Sequence, residues 1–147
     1  MLVRLSALTL ALSSNPIAAS ADHSTTALPA KPQLTGVTEG EAAALVTQLE
    51  RSQAALRAGE KPSFYLYAGA PSYYDASKTS PRDAFLALDW KKALWICTTA
   101  KGNYSKAYRL DILPDGYDHL VNEVRIWVNT SGEFERIDIM TRPPDPL

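Results

Sequence analysis

Between positions 42 and 56 apolar residues recur at three- and four-residue intervals, the spacing of an amphipathic helix of about five turns. Ala42, Leu45, Val46, Leu49 and Leu56 fall on one face with Gln53 interrupting the stripe, while Glu50, Arg51 and Arg57 lie away from it. Thr38 is placed to cap the helix, with Glu41 at the reciprocal position of a capping box. Glu39 and Glu41 suit the positive end of the helix dipole, and Gly59 is the natural stop. Ser63 to Ala68 is rich in aromatics and reads as a strand closed by Gly69 and Pro71. A polar loop from Ser72 to Ser80 follows. Ser80 then caps a short second helix with Pro81 in its first turn, running to about Leu88 or Asp89.

The C-terminal half changes period. Four runs, Ala93–Thr99, Lys106–Leu113, Leu120–Asn129 and Phe134–Thr141, alternate or are continuously apolar and are separated by short turn segments. Short links imply hairpins and an antiparallel meander. Along the third run Val124, Ile126 and Val128 point one way and Glu123, Arg125 and Trp127 the other. A tight turn at Ser131-Gly132 sets Arg125 opposite Asp138, Trp127 opposite Arg136, Ile126 opposite Ile137 and Val124 opposite Ile139. Core and charge matching agree in that register, and a slip of one residue would destroy both. In the second run Tyr108, Leu110 and Ile112 face the core, and a five-residue connection would place Arg109 across from Glu123.

The expected fold is therefore α+β. A long N-terminal helix packs on a four- to five-stranded antiparallel meander sheet, with a short second helix inserted. In order of elements this resembles the general plan of cystatin-type or NTF2-type rolls. That is a resemblance of architecture, and no motif identifies either family.

The first residues alter the picture of compartment. Arg4, the apolar stretch Leu5–Leu12, the break at Asn15-Pro16 and the small-x-small pattern Ala19-Ser20-Ala21 match a cleavable secretory signal over residues 1–21, with Asp22 as the mature start. The apolar stretch falls well short of the roughly 20 residues that span a bilayer. Residues 22–37 read as a flexible leader and 38–147 as a single domain. Loss of Arg4 moves the formal charge from −1 to −2. That balance is unlike the basic face of a nucleic-acid binder. Cys97 is the single cysteine, so no intrachain disulfide forms, and its apolar neighbours favour burial over an intermolecular link.

Candidate chemistry is sparse. His119 is the one histidine beyond the leader, and no nucleophile elbow, phosphate loop or dinucleotide fingerprint is present. Asp115, Asp118 and His119 match no calcium or zinc spacing, and Asp115-Gly116 is hairpin chemistry. Asp111, Glu123 and Asp138 have arginine neighbours that hold an acid ionised, the wrong state for a general acid. Asn103-Tyr104-Ser105 and Asn129-Thr130-Ser131 fit the N-glycosylation pattern but flank turns. Trp90 and Trp95 are assigned to packing, leaving the loop tyrosines and the charged sheet face with Trp127 as contact material.

The expectation is an exported, periplasmic or secreted, non-catalytic binding domain for a protein partner, of inhibitor or immunity type or an envelope accessory. Its binding residues would be Tyr73, Tyr74, Trp127, Arg125 and Arg136, with no cofactor and no metal. The alternative is a small-molecule binder or lyase-like enzyme that uses the interior of a curved sheet.

Overall fold

The computed structural model describes residues 31–69, 80–114 and 120–143. The signal-like segment, most of the leader, the loop with Tyr73 and Tyr74, and residues 115–119 lie outside the described residues. The elements in chain order are β1 (Gln33–Thr35), α1 (Glu39–Arg57), β2 (Tyr65–Gly69), α2 (Pro81–Leu86), a 3-10 turn (Trp90–Lys92), β3 (Ala93–Thr98), β4 (Lys106–Ile112), β5 (Val121–Val128) and β6 (Phe134–Arg142).

The two N-caps form as read, but the reciprocal half of the capping box does not, because Glu41 Oε1 accepts the Tyr108 hydroxyl at 2.7 Å instead. Thr38 Oγ1 accepts the Glu41 backbone N–H at 3.1 Å, and Ser80 Oγ accepts that of Asp83 at 3.1 Å with Pro81 in the first turn. At the far end of α1, Gly59 adopts φ 88°, and the Glu60 N–H returns to the Ala55 carbonyl. A residue with a Cβ resists that left-handed conformation. α2 stops at Leu86, earlier than expected, because Asp89 caps the following turn through its carboxylate and the Lys91 N–H.

β3 to β6 form the expected antiparallel meander, but the sheet is larger and mixed. Its order is β1-β3-β4-β5-β6-β2, with β1 parallel to β3 and β2 parallel to β6. This corrects the expected four- to five-stranded antiparallel sheet. Gln33–Thr35, inside the stretch expected to be a leader, pairs with Trp95–Cys97 and belongs to the sheet. A parallel pair needs a long crossover between its strands. The chain from β1 to β3 and from β2 to β6 supplies one in each case.

The inward face of the sheet meets α1 and α2. Leu49, Phe85, Ile96, Leu110, Ile112, Val124, Ile126 and Ile137 are the largest fully buried side chains. Phe64, Phe85, Phe134 and Trp90 meet edge to face at 5.8–6.0 Å, the geometry favoured by ring quadrupoles. Gln53, the polar break in the apolar stripe, is buried and fully engaged. Its Nε2 donates to the Phe85 and Leu88 carbonyls at 2.9 and 3.0 Å, and its Oε1 accepts the Trp90 indole N–H at 2.9 Å. Among the described residues no buried side-chain nitrogen or oxygen lacks a partner, and no helix is long and apolar enough to cross a membrane.

The β5–β6 register agrees with the sequence reading at all four pairs named above. Asn129 builds its turn, accepting the Ser131 and Glu133 backbone N–H groups, both at 2.9 Å, on Oδ1. The β4–β5 register does not agree. Arg109 lies opposite Arg125, and Asp111 opposite Glu123, instead of Arg109 opposite Glu123. The two registers differ by two residues, a shift that leaves every side chain on its own face. Inward and outward alternation therefore cannot choose between them. The observed register brings Leu110 to Val124 and Tyr108 to Ile126 in the core.

Candidate functional site

Arginines and carboxylates alternate along β4, β5 and β6 on the face turned away from the helices. Stacking the strands in the observed register converts that alternation into rows. Tyr65, Arg136, Trp127 and Ala107 form one row across β2, β6, β5 and β4. Tyr67, Asp138, Arg125, Arg109 and Cys97 form the next, extended to β3, and Gly69, Met140, Glu123, Asp111 and Trp95 a third.

Like charges thus sit directly opposite each other, Arg109 with Arg125 and Asp111 with Glu123, an arrangement that is unfavourable in isolation. It is relieved along the strands. Arg109 pairs with Asp111 through two hydrogen bonds of 2.9 and 3.0 Å, and Arg136 with Asp138 through two of 2.7 and 2.9 Å. Arg125 Nε reaches Glu123. Arg142 ties the acids together, donating to Glu123 and, at 3.3 Å, to Asp111. The cross-strand Arg125–Asp138 ion pair anticipated from the register is replaced by these same-strand pairs. Residues two apart on a strand share a face and lie within reach of an arginine side chain. Glu123 is buried, with a third guanidinium, that of Arg109, at 3.6 Å. Its burial is tolerable because its charge is matched and hydrogen bonded.

The rings lie on the same face. The Arg136 guanidinium stands 5.4 Å from the Tyr65 ring and 5.4 Å from the Trp127 ring. Tyr104 tilts against Trp127 at 6.0 Å. Trp127 is consequently half-buried and not the freely exposed ring that strand parity alone suggests. The hydrogen bond and charge of Asp138 raise the Arg136 pKa, so its cation persists at all accessible pH. Among the described residues the large hydrophobic side chains left exposed are Tyr65 at 60%, Tyr67 at 41% and Met140 at 37%. All three belong to these rows. An open groove of about 720 Å³ runs between Tyr104, Trp127, Arg125, Arg136, Met140 and Arg142.

Of the five residues named from sequence, Trp127, Arg125 and Arg136 come together in this groove, while Tyr73 and Tyr74 lie outside the described residues. Tyr65 and Tyr67 were missed as contact residues. The alternation of Phe64 and Leu66, which pack with the core, against Tyr65 and Tyr67 is the signal that finds them. Trp95 is a second correction. Trp90 is in the core, but Trp95 sits on the outer face, its indole N–H donating to Thr35 Oγ1 at 2.9 Å and Arg109 lying 5.1 Å from its ring. A register shift between Ala93 and Trp95 reverses strand parity there, and a continuously apolar run carries no warning of it. Cys97 is buried beside Arg109, and burial pushes its thiol pKa up.

Among the described residues no group of three His, Cys, Asp or Glu side chains could hold a metal ion. The carboxylates of the face are each tied to guanidinium groups. His119, Asp115 and Asp118 lie outside the described residues. Comparison with protein-family models, curated proteins and solved structures finds no match for the chain.

Proposed function

We propose that this protein is an exported binding module that engages a protein partner through the outer face of its sheet. Trp127, Arg125 and Arg136 are at the centre of the contact, with Tyr65 and Tyr67 beside them. The observation that carries the reading is the segregation of the two faces. One packs the core under α1 and α2, and the other carries a groove that joins Trp127, Met140 and stacked arginines, with the exposed Tyr65 and Tyr67 in the same strand rows beside it. Tyr, Trp and Arg are the residues enriched at interface hot spots, where they present large area at small entropic cost. The reading of a ligand chamber inside the sheet would have to use the cleft of about 460 Å³ between α1 and β1, lined by Leu34, Ala42, Val46, Trp90 and Ile96. Gln53 and the other buried polar side chains of the described interior are all partnered, however, which leaves none to orient a ligand there. A small domain with a rigid, pre-organised face suits an inhibitor, an immunity-type protein or an envelope accessory.

The test compares capture by the full chain and by Trp127→Ala from envelope and culture extracts of the source cells. A specific partner is expected to bind the wild-type chain and to lose about 2 kcal/mol or more of affinity with the variant. Trp127→Ala is expected to cost about 1–2 kcal/mol of stability, the value of its ring and cation contacts. A cost of about 3–5 kcal/mol is the signature of a core ring. That cost, or equal capture by both chains, would overturn the assignment. The exported chain is expected to begin at Asp22 by N-terminal mass spectrometry, and recovery of exported protein retaining Met1 would refute the compartment.

A further inference from the structure

The carboxylates of the groove are engaged by its own guanidinium groups. Both oxygens of Asp138 are taken by Arg136, and those of Glu123 by Arg125 and Arg142. The donors are not exhausted. The hydrogen bonds of Arg125 end at its Nε and those of Arg136 at Nε and Nη2, leaving Arg125's two terminal nitrogens and Arg136 Nη1 with no partner among the described residues. Their side chains are 48% and 41% exposed. Arg125 faces Asp138 and Arg136 faces Trp127, so the two arginines occupy diagonal positions on neighbouring strands. That separation, about 7–8 Å in a sheet, is within reach of long side chains.

From this arrangement we infer that the groove binds an acidic segment of a protein partner, with a carboxylate held by Arg125 and Arg136 and a neighbouring apolar side chain lying on Tyr67 and Met140. The inference rests on the docking role proposed above and adds the chemistry of the partner. Three features favour this occupant. Guanidinium forks match carboxylates in shape and charge and form the stronger, charge-assisted hydrogen bonds. Arg136 is already fixed by Asp138, Tyr65 and Trp127, so little side-chain freedom remains to be lost on binding. The apolar shelf is built by Gly69. A Cβ there would come within 2.8 Å of Met140 Sδ and 3.0 Å of Tyr67 Oη, so its absence lets both side chains close over the strand.

The experiment selects a phage-displayed random dodecapeptide library on the full-length chain and counter-selects on Trp127→Ala. The recovered peptides are then measured by calorimetry as synthetic probes, beside oligogalacturonate. Expected are Trp127-dependent peptides enriched in Asp or Glu next to an apolar or aromatic residue. Their affinity should fall about tenfold or more on Arg125→Gln, recover in part with Arg125→Lys, and weaken with salt. An unchanged urea midpoint for Arg125→Gln keeps that loss separate from unfolding. Trp127-dependent peptides without acidic enrichment, or indifferent to Arg125→Gln, would overturn the acidic partner while leaving the docking face in place. Failure to recover any Trp127-dependent peptide would overturn both. Tighter binding of oligogalacturonate than of any peptide would replace the peptide with an anionic glycan and refute the inference.

Discussion

Substituting Gln53 by leucine tests whether the core is organised as described. Judged by the helical stripe alone, Gln53→Leu completes an apolar face and ought to stabilise. The structure predicts the opposite. Gln53 bridges α1 to the end of α2 and to Trp90 through three buried hydrogen bonds. The Phe85 carbonyl keeps a second donor, the Leu88 N–H at 3.3 Å. The groups that lose their side-chain partner outright are the Trp90 indole N–H and the Leu88 carbonyl. Each buried group so orphaned costs about 1–3 kcal/mol, and burying a leucine returns about 1.5–3 kcal/mol. The added volume at a tightly packed site costs more again. The expected net loss is about 1–3 kcal/mol, read as a urea midpoint lower by about 1 M at a typical slope. Gln48→Leu is the control on the same helix. Its Nε2 bonds the Gly132 carbonyl at 3.0 Å near solvent, and its loss should fall within about 0.5 kcal/mol. Trp90→Phe removes the orphaned indole donor, so it should cost about 1 kcal/mol less in the Gln53→Leu background than in the wild type. A Gln53→Leu chain as stable as the wild type or more so, or a cycle with no coupling, would refute the proposed bridge.

Other expectations follow from the outer face. In double-mutant cycles the Arg136–Asp138 pair should couple by about 0.5–1 kcal/mol, weakened by salt, and Arg125–Asp138 by less, because the ion pairs run along the strands. The reverse order would show that cross-strand pairing dominates in solution. Burial raises the Cys97 pKa, so the folded state keeps its thiol protonated where the unfolded chain ionises. The Cys97 contribution to stability is thus fully present below the ordinary thiol value of about 8.5 and is lost as pH rises through the folded value. Cys97→Ala should flatten stability above that pH, and alkylation of the native thiol should be slow until denaturant is added. Rapid alkylation of the native protein would contradict its burial.

What could be read from the residues alone was local. The Thr38 and Ser80 caps, the Gly59 stop and the alternation of β4 to β6 are short-range signals whose physics is complete within a few residues. The β5–β6 pairing was also legible, because the turn at Asn129–Glu133 is short enough for core and charge patterns to select one register. Tertiary structure decided the rest. The β4–β5 pairing needed it because a two-residue shift preserves both faces. The edges needed it too, since nothing within Gln33–Thr35 or Tyr65–Gly69 specifies β3 or β6 as a distant parallel neighbour. Gln53 looks like a flaw in an apolar stripe until α2 and Trp90 arrive to use its amide. The candidate site follows the same logic. Each strand carries its own arginine and acid, but the contact face exists only where β2 lays Tyr65 and Tyr67 beside β6 and the register brings Arg136 between Tyr65 and Trp127. Strand periodicity assigns a side chain to a face; packing between strands far apart in sequence assigns its neighbours.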